Sequence, residues 1–264
     1  MKTGHIRRPV AAGSFYPDDP AALEKMVDEL LAEAAPSGHR ASAPGAVIVP
    51  HAGYRFSGPI AASAYALVGP VTRVVIFGPA HFVPLGRVAV PAAAAWATPL
   101  GDVPIDDELR DLAAARGAAV DDEPHEPEHS LEVQLPFLQR AIRGPFSVLP
   151  VVVGAAAPGD VADLIDALSD GFDRLVVVST DLSHYYDAET ARKLDRHTAD
   201  AVVERDARAI RIGDACGVFA LRGIVEHARR HDLPIRLLDL RNSSDTAGDP
   251  WRVVGYGAFA VGAA

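Results

Sequence analysis

Short apolar runs that end in a turn recur along this chain, and most are followed by a stretch with helical spacing. Ala46-Val47-Ile48-Val49-Pro50, Val74-Val75-Ile76-Phe77-Gly78 and Leu175-Val176-Val177-Val178-Ser179 are nearly unbroken apolar segments, the pattern of strands buried on both faces. Further strands are predicted at about 87–91, 146–153, 234–240 and 253–261. A first helix follows Asp18-Asp19-Pro20 over 21–31, where an acidic cap and an early proline precede helical apolar spacing. Another is predicted at about 57–68, with Ser57 as cap and Pro59 in the first turn. Others are expected near 106–115, 131–142, 158–170, 188–206 and 217–231. The Ala-, Ser-, Pro- and Gly-rich segment 35–45 reads as a flexible connection. The Ala-rich segment 90–100, with prolines and Trp96, reads as a buried loop or strand edge.

Apolar strands alternating with helices predict an α/β fold: a central, largely parallel or mixed sheet with helices on both faces. No internal repeat and no break in composition divides the 264 residues, so one domain over 1–264 is expected. In such sheets the ligand crevice lies beyond the carboxyl ends of the strands. The first run delivers His51, the second His81, and the third Asp181 and then His184. Imidazoles distant in sequence can therefore meet at one place, as a metal site or an acid-base site requires.

Composition narrows the partners. The formal net charge is −10, from 25 basic and 35 acidic residues, which disfavours nucleic acid and anionic membrane because both select a basic surface. Small molecules and proteins are the expected partners. Cys216 is the single cysteine, so no internal disulfide can form. The opening residues lack the apolar segment of a signal peptide and no run reaches a membrane span, so a cytoplasmic location is expected.

His51 lies in Pro50-His51-Ala52-Gly53-Tyr54 and His81 in Gly78-Pro79-Ala80-His81-Phe82. Small residues leave both imidazoles uncrowded at equivalent turns. Either alone reads as a capping or structural residue; the repeated placement favours a shared site. In Ser179-Thr180-Asp181-Leu182-Ser183-His184-Tyr185 the carboxylate can orient a ligand or tune its pKa, and His184 can act as a general acid-base. The plain alternative is that Asp181 or Ser183 caps the helix near Ala188. Cys216 precedes an apolar helical stretch, and at a helix N-terminus its thiol pKa would fall; a small, inert, buried residue is the alternative. The acidic run 121–132 reads as solvated, with His125 ordinary. His129 enters as the next helix begins, with Glu132 and Gln134 placed to hold it. His5, His39, His197, His227 and His231 receive no role.

Several segments together resemble the Memo family, whose bacterial and archaeal members are often called AmmeMemoRadiSam system protein B. They are 8–17 (Arg8-Pro9-Val10-Ala11-Ala12-Gly13-Ser14-Phe15-Tyr16-Pro17), Pro50-His51-Ala52-Gly53-Tyr54 with Ser57-Gly58, Gly78-Pro79-Ala80-His81, the stretch 128–138 from Glu128-His129-Ser130, Ser179-Thr180-Asp181-Leu182-Ser183-His184-Tyr185, and Cys216-Gly217. They cover nearly the whole chain in the expected order. The resemblance implies a fold like that of the class III extradiol dioxygenases. It further implies a metal pocket with His51, His81 and Cys216 as ligands, Asp181 and His184 beside them, and His129 lining the cleft.

The dioxygenases hold iron(II) with two histidines and a carboxylate. Here Cys216 takes the carboxylate's place, and a softer thiolate suits iron, copper or zinc, so ring cleavage does not transfer with the fold. The leading expectation is a metal-binding protein, with iron or copper, that performs redox or dioxygenase-like chemistry on an unidentified small-molecule or peptide ligand in the cleft. His184, Asp181 and His129 are its candidate catalytic residues. The resemblance also implies work beside radical SAM and AMMECR-type proteins. Two alternatives stand: a metal-free hydrolase or transferase using Cys216, His184 and Asp181, and a non-catalytic module that binds peptide or protein on a dioxygenase-like fold.

Overall fold

Strands without a polar face need cover on both sides, and the computed structural model, which describes residues 4–35, 43–171 and 173–262, provides it. In chain order the elements are β1 (Ile6–Arg7), α1 (Pro20–Ala34), β2 (Ala46–Val49), α2 (Tyr54–Tyr65), β3 (Arg73–Pro79), β4 (Val88–Val90), β5 (Ala95–Thr98), β6 (Gly101–Pro104), α3 (Asp107–Ala115) and β7 (Ala119–Val120). There follow a 3-10 turn (Glu132–Gln134), α4 (Leu135–Ala141), β8 (Ser147–Val153), α5 (Pro158–Ser169), β9 (Arg174–Ser179), β10 (His184–Tyr186), α6 (Ala188–Val203), α7 (Val218–Arg230), β11 (Ile235–Asn242) and β12 (Val253–Val261). Most of the connection read over 35–45, with His39, lies outside the described residues.

The main sheet runs β10-β12-β2-β9-β3-β8-β4-β7, with β11 on the other edge of β12. Its centre, β2-β9-β3-β8, is parallel. The flanking pairs β12-β2, β11-β12 and β8-β4 are antiparallel. The sheet is thus mixed, within the expected range, and agrees with a fold like that of the class III extradiol dioxygenases. Helix α2, backed by α1 and α4, lies against β2, β11 and β12, whereas α7 and α5 pack on β3 and β9. The central strands β2, β3 and β9 are buried almost throughout. No helix among the described residues is long and apolar enough to cross a membrane.

Local boundaries differ where tertiary contacts outweigh local signals. Asp19 caps α1 as expected, accepting from Ala22 N–H. Helix α2 instead begins at Tyr54, with Gly53 in the cap position, and Pro59 falls inside it. Ser57 does not cap it; its hydroxyl donates to Ala52 O at 2.9 Å. Tyr54 N–H is already satisfied by Phe15 O at 2.8 Å, so the N-terminal segment closes the turn that a side chain would otherwise cap. The Ala-rich segment forms the hairpin β5-β6, which β1 extends in parallel to a small second sheet. Trp96 is fully buried there. The helix after β10 is capped by Asp187, which accepts from Glu189 and Thr190 N–H, not by Asp181 or Ser183.

Candidate metal centre

Three adjacent parallel strands deliver the site. Leaving β2, the chain places His51; leaving β9, Asp181; leaving β3, His81. The ring of His51 lies 5.3 Å from that of His81 and 5.7 Å from that of His129, and the His81 and His129 rings stack at 5.1 Å. One nitrogen from each of these three imidazoles lies within 4.8 Å of the others, a spacing that can hold a metal ion. Cys216 Sγ lies 3.2 Å from His51 Nε2. The expected residues His51, His81, His129, Asp181, His184 and Cys216 therefore line one cavity of about 870 Å³.

The protons on these rings can be assigned from their partners. Ser179 Oγ donates its single hydrogen to Ser130 O at 2.7 Å and accepts from Gln134 Nε2 at 2.8 Å. Towards His51 Nδ1, 2.9 Å away, it can only accept, so Nδ1 carries the hydrogen and Nε2 presents a lone pair to Cys216. Burial, with His81 and His129 adding to it, lowers the His51 pKa and keeps the ring neutral. His81 Nδ1 faces Glu128 Oε1 at 2.9 Å and His184 Nδ1 faces Leu182 O at 2.8 Å. Both partners are acceptors, so Nδ1 carries a hydrogen in each ring, and in the neutral form Nε2 holds the lone pair. His129 differs: its Nδ1 stands 3.7 Å from Glu128 Oε1, beyond hydrogen-bond reach. Burial lowers its pKa while Glu128 opposes that shift.

Asp181 is buried, and its Oδ1 accepts from the backbone N–H of His51 at 2.8 Å. It therefore fixes the loop that carries His51, whereas His184 is held by its neighbour's carbonyl. Asp181 N–H donates to Cys216 Sγ at 3.2 Å, and Cys216 N–H donates back to Asp181 O at 3.2 Å. These bonds join the end of β9 to the start of α7, where Gly217 occupies the cap position. The thiol pKa does not fall as a helix N-terminus alone would predict. Burial and the neighbouring Asp181 carboxylate push it up, because both penalise a second negative charge more than the helix end rewards it.

The acidic run is the main departure from the sequence reading. Glu128 and Glu132 are fully buried. Glu128 accepts from His81 through both carboxylate oxygens and from Ser130 N–H at 2.9 Å. Burial alone would raise its pKa, but hydrogen bonds from the His81 ring, the His81 backbone and Ser130 N–H hold it down to about 2. Glu132 and Gln134 do not hold His129. Glu132 pairs with Arg7 at 2.7 Å and accepts from Tyr16 OH at 2.7 Å. Gln134 bonds Pro50 O, Ser179 and Tyr65, which places it behind His51. His125 is also buried, with Nδ1 on Asp121 O at 2.8 Å. Arg55 and Arg252 line the cavity, and Arg252 lies 4.3 Å over the ring of Tyr185; neither stands in a motif that signals a site.

A family model described as "Memo-like protein" matches residues 7–260. Relatives named "MEMO1 family protein" match over nearly full length. That of Aquifex aeolicus is 38% identical over 263 residues, covering 95% of this chain and 97% of that protein. Those of Methanococcoides burtonii and Thermotoga neapolitana are each 35% identical, covering 97% and 95% of this chain and 100% and 98% of theirs. With the match spanning every segment that builds the cavity, the chain belongs to the Memo family.

Proposed function

We propose that this protein holds an iron or copper ion through His51, His81 and Cys216, and uses it for redox or dioxygenase-like chemistry on a small molecule or peptide in the cleft. The observation that carries this reading is the assignment of protons. His51 and His81 each spend Nδ1–H on a fixed acceptor and turn Nε2 inward, the arrangement in which protein-bound metal ions find their imidazole ligands. Cys216 Sγ lies against the His51 lone pair at about the spacing two donors keep on one ion. Two imidazoles and a thiolate fit iron, copper or zinc better than magnesium or calcium.

When bound, such an ion supplies Lewis acidity and electron transfer. The surrounding residues divide the remaining work. Asp181 positions the His51 loop, and Glu128 orients His81. Among the described residues no acceptor holds His129 Nδ1 within hydrogen-bond reach, so this ring is suited to exchanging a proton, and His184 presents a second basic nitrogen at the cavity wall. Arg55 and Arg252 supply positive charge to an acidic group on the ligand. This reading retains the expected cytoplasmic setting and the expected radical SAM and AMMECR-type partners.

Metal analysis after anaerobic purification and loading tests the proposal. Wild type is expected to hold iron or copper in stoichiometric amount, and Cys216→Ala to hold less. Equal, negligible metal in both under every loading condition rejects it. The short Cys216–His51 contact also suits a metal-free nucleophile and base, with His51 in place of the expected His184. The raised thiol pKa weighs against that reading. Rapid alkylation of Cys216 at neutral pH in the presence of chelator would favour it.

A further inference from the structure

The outer end of α7 carries a second constellation, on the side of the molecule away from Cys216. His227 and His231 are one helical turn apart and share a carboxylate on the neighbouring helix α5. His227 Nδ1 lies 2.5 Å and His231 Nε2 2.9 Å from the same oxygen, Asp166 Oδ1. The two rings are 4.8 Å apart, and the three donor atoms lie within 4.8 Å of one another. We propose that His227, His231 and Asp166 form a second metal site, which takes a divalent transition ion of the zinc, copper or nickel class and clasps α5 to α7.

Two imidazoles and one carboxylate select such ions over magnesium or calcium. His227 lies in the last turn of α7 and His231 at its C-terminal cap, four residues on, so this helix end presents both nitrogens on one side with little rearrangement. Both nitrogens converge on one oxygen. An ion entering there replaces the hydrogens that His227 Nδ1 and His231 Nε2 now donate to Asp166 Oδ1, so each imidazole has to hold its proton on its other ring nitrogen while the carboxylate rotates aside. The C-terminal end of the helix favours positive charge at that point. Arg230 is the opposing charge, with Nη1 3.7 Å from Asp166 Oδ2, but it is engaged by Asp163 at 2.5 Å and Glu226 at 3.0 Å. The site opens on a cavity also lined by Arg116 and Asp170. His231 is about half exposed whereas His227 is mostly buried, so the ion has access from solvent and one anchored ligand. The 13 residues of α7 span about 20 Å, which separates this site from the one at Cys216.

Zinc titration of chelator-stripped protein, followed by calorimetry and thermal melting, tests the site. His51→Gln/His81→Gln protein is expected to bind one zinc ion and to melt higher with it. Adding His231→Gln, a change at an exposed position, is expected to weaken that binding by at least an order of magnitude and abolish the rise in melting temperature. Should the double variant fail to fold, wild type and His231→Gln alone are compared, and the single change removes one equivalent of bound zinc. Unchanged zinc binding and melting on loss of His231 overturns the proposal, as does a natively folded double variant that binds no zinc.

Discussion

Glu128 grips His81 twice, accepting from its ring Nδ1–H at 2.9 Å through Oε1 and from its backbone N–H at 2.8 Å through Oε2. One carboxylate thereby sets both the position and the tautomer of the imidazole. Glu128→Gln keeps the shape but removes the charge and one acceptor. Affinity for iron or copper, measured by competition with a chromophoric chelator, is expected to fall by about 10- to 100-fold. No change in affinity would show that His81 is oriented without Glu128.

The buried His125 makes stability depend on pH. Burial lowers its pKa from 6.5 to about 4. The folded protein thus favours the neutral ring, and its contribution is fully present above pH 6.5 and lost as pH falls through about 4. The total is of the order of 3 kcal/mol. Urea unfolding between pH 7 and pH 4 is expected to show this decline, and His125→Gln to flatten it. Below pH 4.5, Glu128 adds a second loss that runs to about pH 2. An equal decline in His125→Gln would assign the acid sensitivity elsewhere.

Arg7 and Glu132 form an ion pair that is almost wholly buried. The guanidinium also donates to His125 O at 2.8 Å and Glu128 O at 2.7 Å, and lies 4.2 Å from the Trp96 ring centre. Arg7→Met leaves Glu132 charged and unpaired, with an expected cost of about 3–5 kcal/mol by chemical denaturation. A loss smaller than about 1 kcal/mol would mean that Tyr16 and the backbone donors at Val10 and Ala11 suffice to hold the carboxylate.

Gly217 sits where a side chain does not fit. An added Cβ would meet Thr180 Cβ at 2.8 Å and Ser179 O at 2.9 Å, and both belong to the end of a central strand. Gly217→Ala is expected to cost about 1–3 kcal/mol and to displace Cys216, read as altered kinetics of thiol modification under native conditions. Native kinetics together with native stability would show that the α7 end yields instead.

The strand ends were legible because apolar runs and the turns after them are local signals, and these carried His51, His81 and Asp181 to one edge of the sheet. The start of α2 was not, because its first N–H is satisfied by Phe15, 39 positions away in the chain. Glu128 and Glu132 read as solvated for the same reason. A charged residue declares itself buried only through its partners, here His81 and Arg7, which lie 47 and 125 positions away. Between the two readings of Cys216 the sequence offers no decision, because its helix position is a local property whereas its burial and the Asp181 carboxylate are not.

The parallel trio β2-β9-β3 has a consequence for the order of events in the life of the molecule. His51 and Cys216 are 165 positions apart, and they meet only after strands from both halves of the chain have paired. A newly synthesised, unfolded chain therefore offers an ion no chelating pair from this set, unlike a zinc finger, whose ligands cluster in sequence and whose metal drives folding. Loading has to follow assembly of the sheet. Capture of an ion at His51 and Cys216 would then report a completed fold and add to its stability by mass action, without having directed its construction.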